Sequence, residues 1–166
     1  TAIQKALSPE VPRIIAEDLG FLTPAVRQLM EATGFPGMKV LQFAFEPGLD
    51  SDYLPHHHGK HMVVYTGTHD NETLAGWLDS LPKEAFQHAV RYLKLNYDEG
   101  LVWGVIRGAW SFAANLAIAP MQDFLELDNS ARMNVPATIG GNWTWRMEEA
   151  ALTPALAGRI RALTTL

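Results

Sequence analysis

Four short apolar runs with their polar residues gathered at one end leave this chain few ways to fold. They are Arg13–Leu19 (RIIAEDL), Lys39–Phe45 (KVLQFAF), Met62–Thr66 (MVVYT) and Leu116–Met121 (LAIAPM). A strand with one wet face alternates apolar and polar residues. These runs do not, which suits strands covered on both faces, as in parallel sheets. The segments between them have helical spacing. In TPAVRQLMEATG, Thr23 can cap, Pro24 suits the first helical position and Gly34 can end the helix, with Val26, Leu29, Met30 and Thr33 on one face. Pro82–Leu95 places Phe86, Ala89, Val90 and Leu93 together, and Tyr97–Phe112 is expected to bury Val102, Val105, Ile106 and Ala109. Thr153 and Pro154 open a terminal helix with Leu156, Ile160 and Leu163 along one side. Only Glu46–His61 breaks the alternation, being rich in Pro, Gly and His. The pattern predicts an α/β fold with parallel strands.

Composition narrows the function. With 166 residues, 48% of them hydrophobic, the chain is the size of one globular domain. A net charge of −5 argues against nucleic acid as a partner, and no apolar stretch reaches the roughly 20 residues needed to span a membrane. The absence of Cys excludes disulfides and thiol chemistry and is simplest in a cytoplasmic protein. TAIQKALSPEVP lacks the basic and apolar regions of a signal peptide. The chain begins without Met, in what reads as the end of a helix, so it is expected to be a piece of something larger. No GxGxxG or GxxxxGK[ST] loop supports a nucleotide-binding fold.

The polar residues cluster at the C-terminal ends of the predicted strands: Glu17 and Asp18, Gln42, His69 and Asp70, then Gln122 and Asp123. That is where a β/α barrel keeps its active site. In MVVYTGTHDNETLAGW, five residues from Thr68 to Glu72 carry hydroxyl, imidazole, carboxylate and amide groups in succession, more than a turn requires. Glu17, beside Ile14, Ile15 and Ala16, risks desolvation, which would let it hold a proton near neutrality; Asp70 sits among hydrogen-bonding groups that favour its ionised form. Two carboxyls in diverging environments suit glycosidic bond chemistry. Each alone also reads as an ordinary cap or salt-bridge partner.

The blocks PRIIAEDLG, GFPGMKVLQFAF, YLPHHH, VVYTGTHDNETLAGW, PMQDFLELDNSARMN and GGNWTWR together resemble the amylomaltases, the 4-α-glucanotransferases of the α-amylase clan, from about Pro12 to Arg146. The resemblance implies a (β/α)₈ barrel enzyme that cuts an α-1,4-glucan and passes the piece to another sugar's 4-hydroxyl, with retention and without metal or organic cofactor. It implies that Glu17 is the general acid/base on the fifth strand, and that Asp70 is a carboxylate on the seventh strand that holds sugar hydroxyls. His69 would donate to the same sugar, and Asp18, Phe43 and Asn134 would be further substrate contacts. The family's nucleophilic Asp follows an Arg in a block like R-I-D-H on the fourth strand. This sequence has no such block. Residues 1–166 are therefore expected to be a single partial domain, strands five to eight of the barrel, inactive alone and prone to self-associate or to pair with a missing N-terminal half. Two loops depart from the family: its HNY is HHH here, and its NxPGT has Ala137 in place of Gly.

Two other readings compete. His56, His57, His58 and His61 could hold a metal, but adjacent residues rarely point at one ion and no i, i+4 spacing supports it. Trp77, Trp103, Trp143 and Trp145 could make a non-catalytic glucan-binding module, although Trp is more often core.

Overall fold

Met62–Tyr65 (β2) is the central strand of a three-stranded sheet, flanked in parallel by Gly37–Val40 (β1) and Leu116–Ile118 (β3). The structure is a computed structural model, describing residues 2–6, 14–20, 22–46 and 50–165. The strands lie side by side in chain order, with Met38, Val63 and Leu116 in one row and Val40, Tyr65 and Ile118 in another. Because side chains alternate across a strand, those two rows share one face and Val64 points to the other. Val64 belongs to the main core, together with residues of the helices.

The helices follow the predicted spacing closely. After a short helix at Ala2–Ala6 (α1), Pro24–Thr33 (α2) begins where Thr23 Oγ1 accepts the Val26 N–H. It ends at Gly34, whose φ of 65° a residue with a Cβ adopts only at a cost. Lys83–Leu93 (α4) and Leu101–Trp110 (α5) occupy the two predicted segments, and all four residues expected to be buried in α5 are buried. Pro154–Thr164 (α7) is capped by Thr153 and lays Leu156, Ile160 and Leu163 on the core. Leu74–Ser80 (α3), capped by Thr73, and the single turn Met121–Phe124 (α6) are additions that the periodicity did not reveal. α5 packs against α3, α4, α6 and α7, which makes it the hub of the helical layer. Leu41, Phe45, Leu74 and Ile106 are fully buried there, each contributing about 1.5–3 kcal/mol relative to exposure. Among the described residues, no helix is long and apolar enough to cross a membrane.

The strand predictions need correction. Residues 14–19 lie extended beside β1 but form no strand ladder, and Arg13 lies outside the described residues. Ala16 N donates to Pro36 O at 2.9 Å, but the next donor on β1, Met38 N, is taken by the Asp18 carboxylate at 2.7 Å. A side chain thus replaces the carbonyl that would continue the pairing. The predicted strand Lys39–Phe45 is earlier and shorter: after Val40 the chain tightens into a 3₁₀ turn over Leu41–Phe45, with Leu41, Gln42, Ala44 and Phe45 buried. The fourth run stops at Ile118, because Pro120 and the turn after it start α6.

Candidate active site

The sheet face bearing Met38, Tyr65 and Ile118 forms the floor of an open cleft of about 890 Å³. Its walls include Ile15, Glu17 and Leu19, the every-other-residue pattern of an extended chain, and also Phe43, His69, Asp70 and Pro136. Glu17 and Asp70 therefore line one cleft although far apart in sequence. The burial expected around Glu17 is not found. Alternation turns its side chain outward, and Glu17 is exposed on the cleft wall.

Asp70 is held from several sides. Asn134 Nδ2 donates to its Oδ1 at 2.6 Å, and His69 Nε2 lies 3.3 Å from the same oxygen. Arg132 Nη2 donates to Asp70 O at 2.7 Å, while Arg132 Nε donates to Asn134 O at 3.0 Å. Asn134 N donates to His69 O at 3.0 Å, so the two loops are joined by backbone as well. Within the THDN turn, Asn71 Oδ1 accepts from both Thr68 N and Thr68 Oγ1, closing the local loop. The next residues are anchored too. Gln42 Nε2 donates to Glu72 O, and Asn129 Nδ2 donates to the Glu72 carboxylate. The polar row after β2 is thus a braced platform.

The structure brings His69, Asp70 and Asn134 together, and Phe43 stands on the rim with its ring edge-on to Tyr53 at 5.4 Å. Asp18 is not in the cleft lining. Its carboxylate accepts from Met38 N and sits against Gly37, where a Cβ would come within 2.5 Å of it. It clasps the start of β1. Of the four tryptophans weighed as stacking platforms, Trp77 and Trp103 are core, whereas Trp143 is 53% exposed and its ring lies 5.0 Å from that of His69. Trp143 borders a smaller hollow of about 210 Å³ with Arg132, Met133 and Asp123, adjoining the cleft at Thr68, His69 and Pro120. Arg132 is a site residue that the sequence reading did not name, its available signal being the ARMN block, whereas Trp143 entered only as a possible stacking platform. Ala137, in the loop where the resemblance predicts Gly, has φ 62°, a left-handed conformation costing about 1–2 kcal/mol for a residue with a Cβ.

Beneath the platform lies Asp123, which is almost fully buried. Its Oδ2 accepts from Thr66 Oγ1 at 2.7 Å and its Oδ1 from Leu74 N at 2.8 Å. It thereby ties the end of β2 to the first turn of α3, on either side of His69 and Asp70. Burial pushes its pKa up to about 6, against the opposing effect of the two hydrogen bonds. The folded state therefore holds this proton more tightly than the unfolded chain. Its contribution to stability is complete below about pH 3.8 and is lost as pH rises through about 6. Asp123→Asn keeps an acceptor for Leu74 N and carries no charge. It should flatten this part of the pH profile and gain on the order of 1–2 kcal/mol at pH 7.5 relative to pH 4. Denaturant unfolding of both proteins at the two pH values checks this; parallel profiles would show that Asp123 does not titrate in the window.

A parallel sheet with helices packed on it, carrying carboxylate, imidazole and amide groups at its strand ends, defines the class: an α/β protein with a cleft over one sheet face. A family model described as 4-alpha-glucanotransferase matches residues 1–153, and the chain belongs to that family. It is 51% identical to a 4-alpha-glucanotransferase of Clostridium butyricum over 154 residues, covering 92% of this chain and 32% of that protein. It is 42% identical to the 4-alpha-glucanotransferase of Thermus thermophilus over 161 residues, covering 93% of this chain and 32% of that protein. Among solved structures it matches the amylomaltase from Streptococcus agalactiae in complex with acarbose. That match has a TM-score of 0.92 at 36% identity, over 98% of this chain and 33% of that one. The chain thus spans about a third of the length of the relatives it matches.

Proposed function

We propose that this chain is the C-terminal half of a (β/α)₈ glucanotransferase barrel, bearing the acid/base and a sugar-holding carboxylate of an enzyme that transfers α-1,4-glucan segments with retention. The observation that carries the reading is the shared cleft: Glu17 stands on one wall, and Asp70 and His69, braced by Asn134, stand on another. Glu17 protonates the departing glycosidic oxygen and later deprotonates the incoming 4-hydroxyl. Asp70 accepts hydrogen bonds from sugar hydroxyls, His69 donates to the same sugar, and Phe43 offers an aromatic edge at the rim. Asp18 acts on substrate indirectly, by fixing β1. The nucleophile belongs to a part of the protein outside these residues. Maltooligosaccharides are the substrates, and the match to an acarbose-bound amylomaltase supports a glucan in the cleft. The exposed apolar side chains on the cleft side, Ile15 at 39% and Leu116 at 47%, suit a surface that the other half covers. Left alone, that surface and the open sheet edges favour self-association. Trp77 and Trp103 lie in the core, so the stacking platform of a separate binding module is reduced to the region of Trp143.

The reading is tested by Asp70→Asn in the complete enzyme. The hydroxyl contacts tighten as the sugar ring distorts, so the loss should fall mainly on kcat, by roughly 10²–10³-fold. A variant with an unchanged kcat and a raised KM would reduce Asp70 to ordinary substrate binding.

A further inference from the structure

The His-rich turn is where side-chain geometry departs furthest from sequence spacing. Two of its four imidazoles are engaged by backbone oxygens: His58 Nε2 lies 2.9 Å from Tyr53 O, and His61 Nε2 lies 2.8 Å from Gly34 O. The other two converge. His57 Nε2 is 3.0 Å and His56 Nε2 is 3.7 Å from the same oxygen, Oδ1 of Asp50. Adjacent residues were expected not to point at one ion. Here the 3₁₀ turn Pro55–His57 curls the chain back over Asp50, and one ligand atom from each of the three residues falls within 4.8 Å of the others.

We propose that Asp50, His56 and His57 bind a divalent transition metal of the zinc type, which clips the loop of residues 50–57 beside the cleft wall. Four-coordinate zinc with bonds of about 2.0–2.2 Å holds its ligand atoms about 3.3–3.5 Å apart. The two nitrogen–oxygen spacings of 3.0 and 3.7 Å straddle that range, and the three ligand atoms lie within 4.8 Å of one another, so rotation of the exposed side chains can close them on one ion. Two imidazole nitrogens with one carboxylate oxygen suit zinc and its neighbours in the first row, whereas magnesium and calcium prefer oxygen alone.

A simple hydrogen bond accounts for less of the arrangement. One imidazole suffices to satisfy Asp50, yet the second ring lies against the first with centroids 4.1 Å apart. Two protonated imidazoles at that distance repel, whereas a metal takes both in their neutral form. The orientation of His56 is also fixed from behind. Tyr92 Oη, on α4, is 2.8 Å from His56 Nδ1 and accepts the His56 backbone N–H at 3.2 Å. This leaves Nε2 free to face Asp50, the outer-shell device common to histidine ligands. Asp50, His56 and His57 are all exposed, so an ion reaches them and water can fill the remaining positions.

The clip has a consequence for the cleft. Ser51, next to Asp50, donates through Oγ to Phe43 O at 3.3 Å, and Tyr53 packs edge-on against the Phe43 ring. A metal on this loop therefore stiffens the support of the aromatic rim.

The test uses untagged protein carrying the whole chain, stripped with chelator and titrated with zinc chloride by calorimetry, then with cobalt(II) followed by visible absorption. One equivalent should bind, with cobalt bands of a low-coordinate nitrogen and oxygen site. Asp50→Asn and His57→Gln should each weaken zinc binding at least 10-fold, and Tyr92→Phe, which keeps the ring, by about 10-fold or more. The three ligands are exposed and outside the cleft lining, so circular dichroism should be unchanged in the ligand variants. No binding at 100-fold excess of zinc over protein would overturn the proposal. So would binding that survives both ligand substitutions, since the ion would then sit elsewhere.

Discussion

Glu17→Gln, made in the complete enzyme, is expected to lower glucan transfer by at least ~10²–10⁴-fold while leaving maltooligosaccharide binding largely intact. The amide has nearly the same shape and can still hydrogen bond, but it has no proton to give the departing oxygen and cannot accept one from the incoming hydroxyl. Both half-reactions of a retaining transfer use that group, first as acid and then as base. The loss should therefore persist with activated donors in the second step, even where a good leaving group relieves the first. Glu17 stands exposed on the cleft wall and, among its described contacts, supports no neighbouring element, so the variant should fold as the parent does. Initial rates of maltotriose disproportionation, set beside calorimetric binding of the same sugar, check the split. A Gln variant that transferred glucan near the parental rate would overturn the acid/base assignment.

Much of this was legible because it rested on local rules. Thr23, Pro24 and Gly34 bounded α2 because each has a local backbone reason to sit where it does. The buried face of α5 followed from 3.6-residue spacing. Parallel pairing followed from apolar runs without alternation. The misses came from competition between local and distant partners. LQFAF is apolar enough for a strand, but its turn packs Leu41, Ala44 and Phe45 into one core cluster with the helices, whereas a strand would send Ala44 to the opposite face from Leu41 and Phe45. AEDLG failed as a ladder because Asp18, read as a sugar contact, takes a backbone donor 20 residues away. No spacing rule reveals such a bond. The same holds for Arg132, whose two hydrogen bonds join the Asp70 and Asn134 loops across 62 residues of chain.

The platform around Asp70 explains why so many groups surround one exposed carboxylate. A carboxylate on a loop loses rate if it wanders, because positioning errors of about 1 Å can cost 10²-fold. Here the loop is fixed by the Asn134 amide, the Arg132 guanidinium and the internal Thr68–Asn71 bonds, while Asp123 pins both of its ends from below. The strained backbone at Ala137 and Trp143, with φ of 62° at each, lies in the loop that delivers Asn134 and the His69-facing indole. Strain of that kind persists where surrounding contacts over-determine the conformation.

Purified as the 166-residue chain, the protein is expected to produce neither glucose nor longer oligomers from maltotriose. A retaining transfer needs a carboxylate that attacks the anomeric carbon from the face opposite the acid/base, about 5–5.5 Å from it. Among the described residues, the carboxylates that line the cleft are Glu17 and Asp70. Glu17 cannot be acid and nucleophile at once, because the two act on opposite faces of the sugar. Asp70 is a poor substitute: its Oδ1 is already engaged by Asn134 and lies beside His69, an arrangement suited to receiving hydroxyls rather than to displacement at carbon. Self-association does not repair the defect, since a second copy brings the same two carboxylates and no third. Supplying the remaining two thirds of a relative's length in trans should restore turnover to the extent that the pieces reassemble. That rescue should vanish when the added piece lacks its own candidate nucleophile. Chromatography of a maltotriose incubation decides the matter. Disproportionation by the chain alone that disappears in its Glu17→Gln variant would mean that a nucleophile lies within these 166 residues.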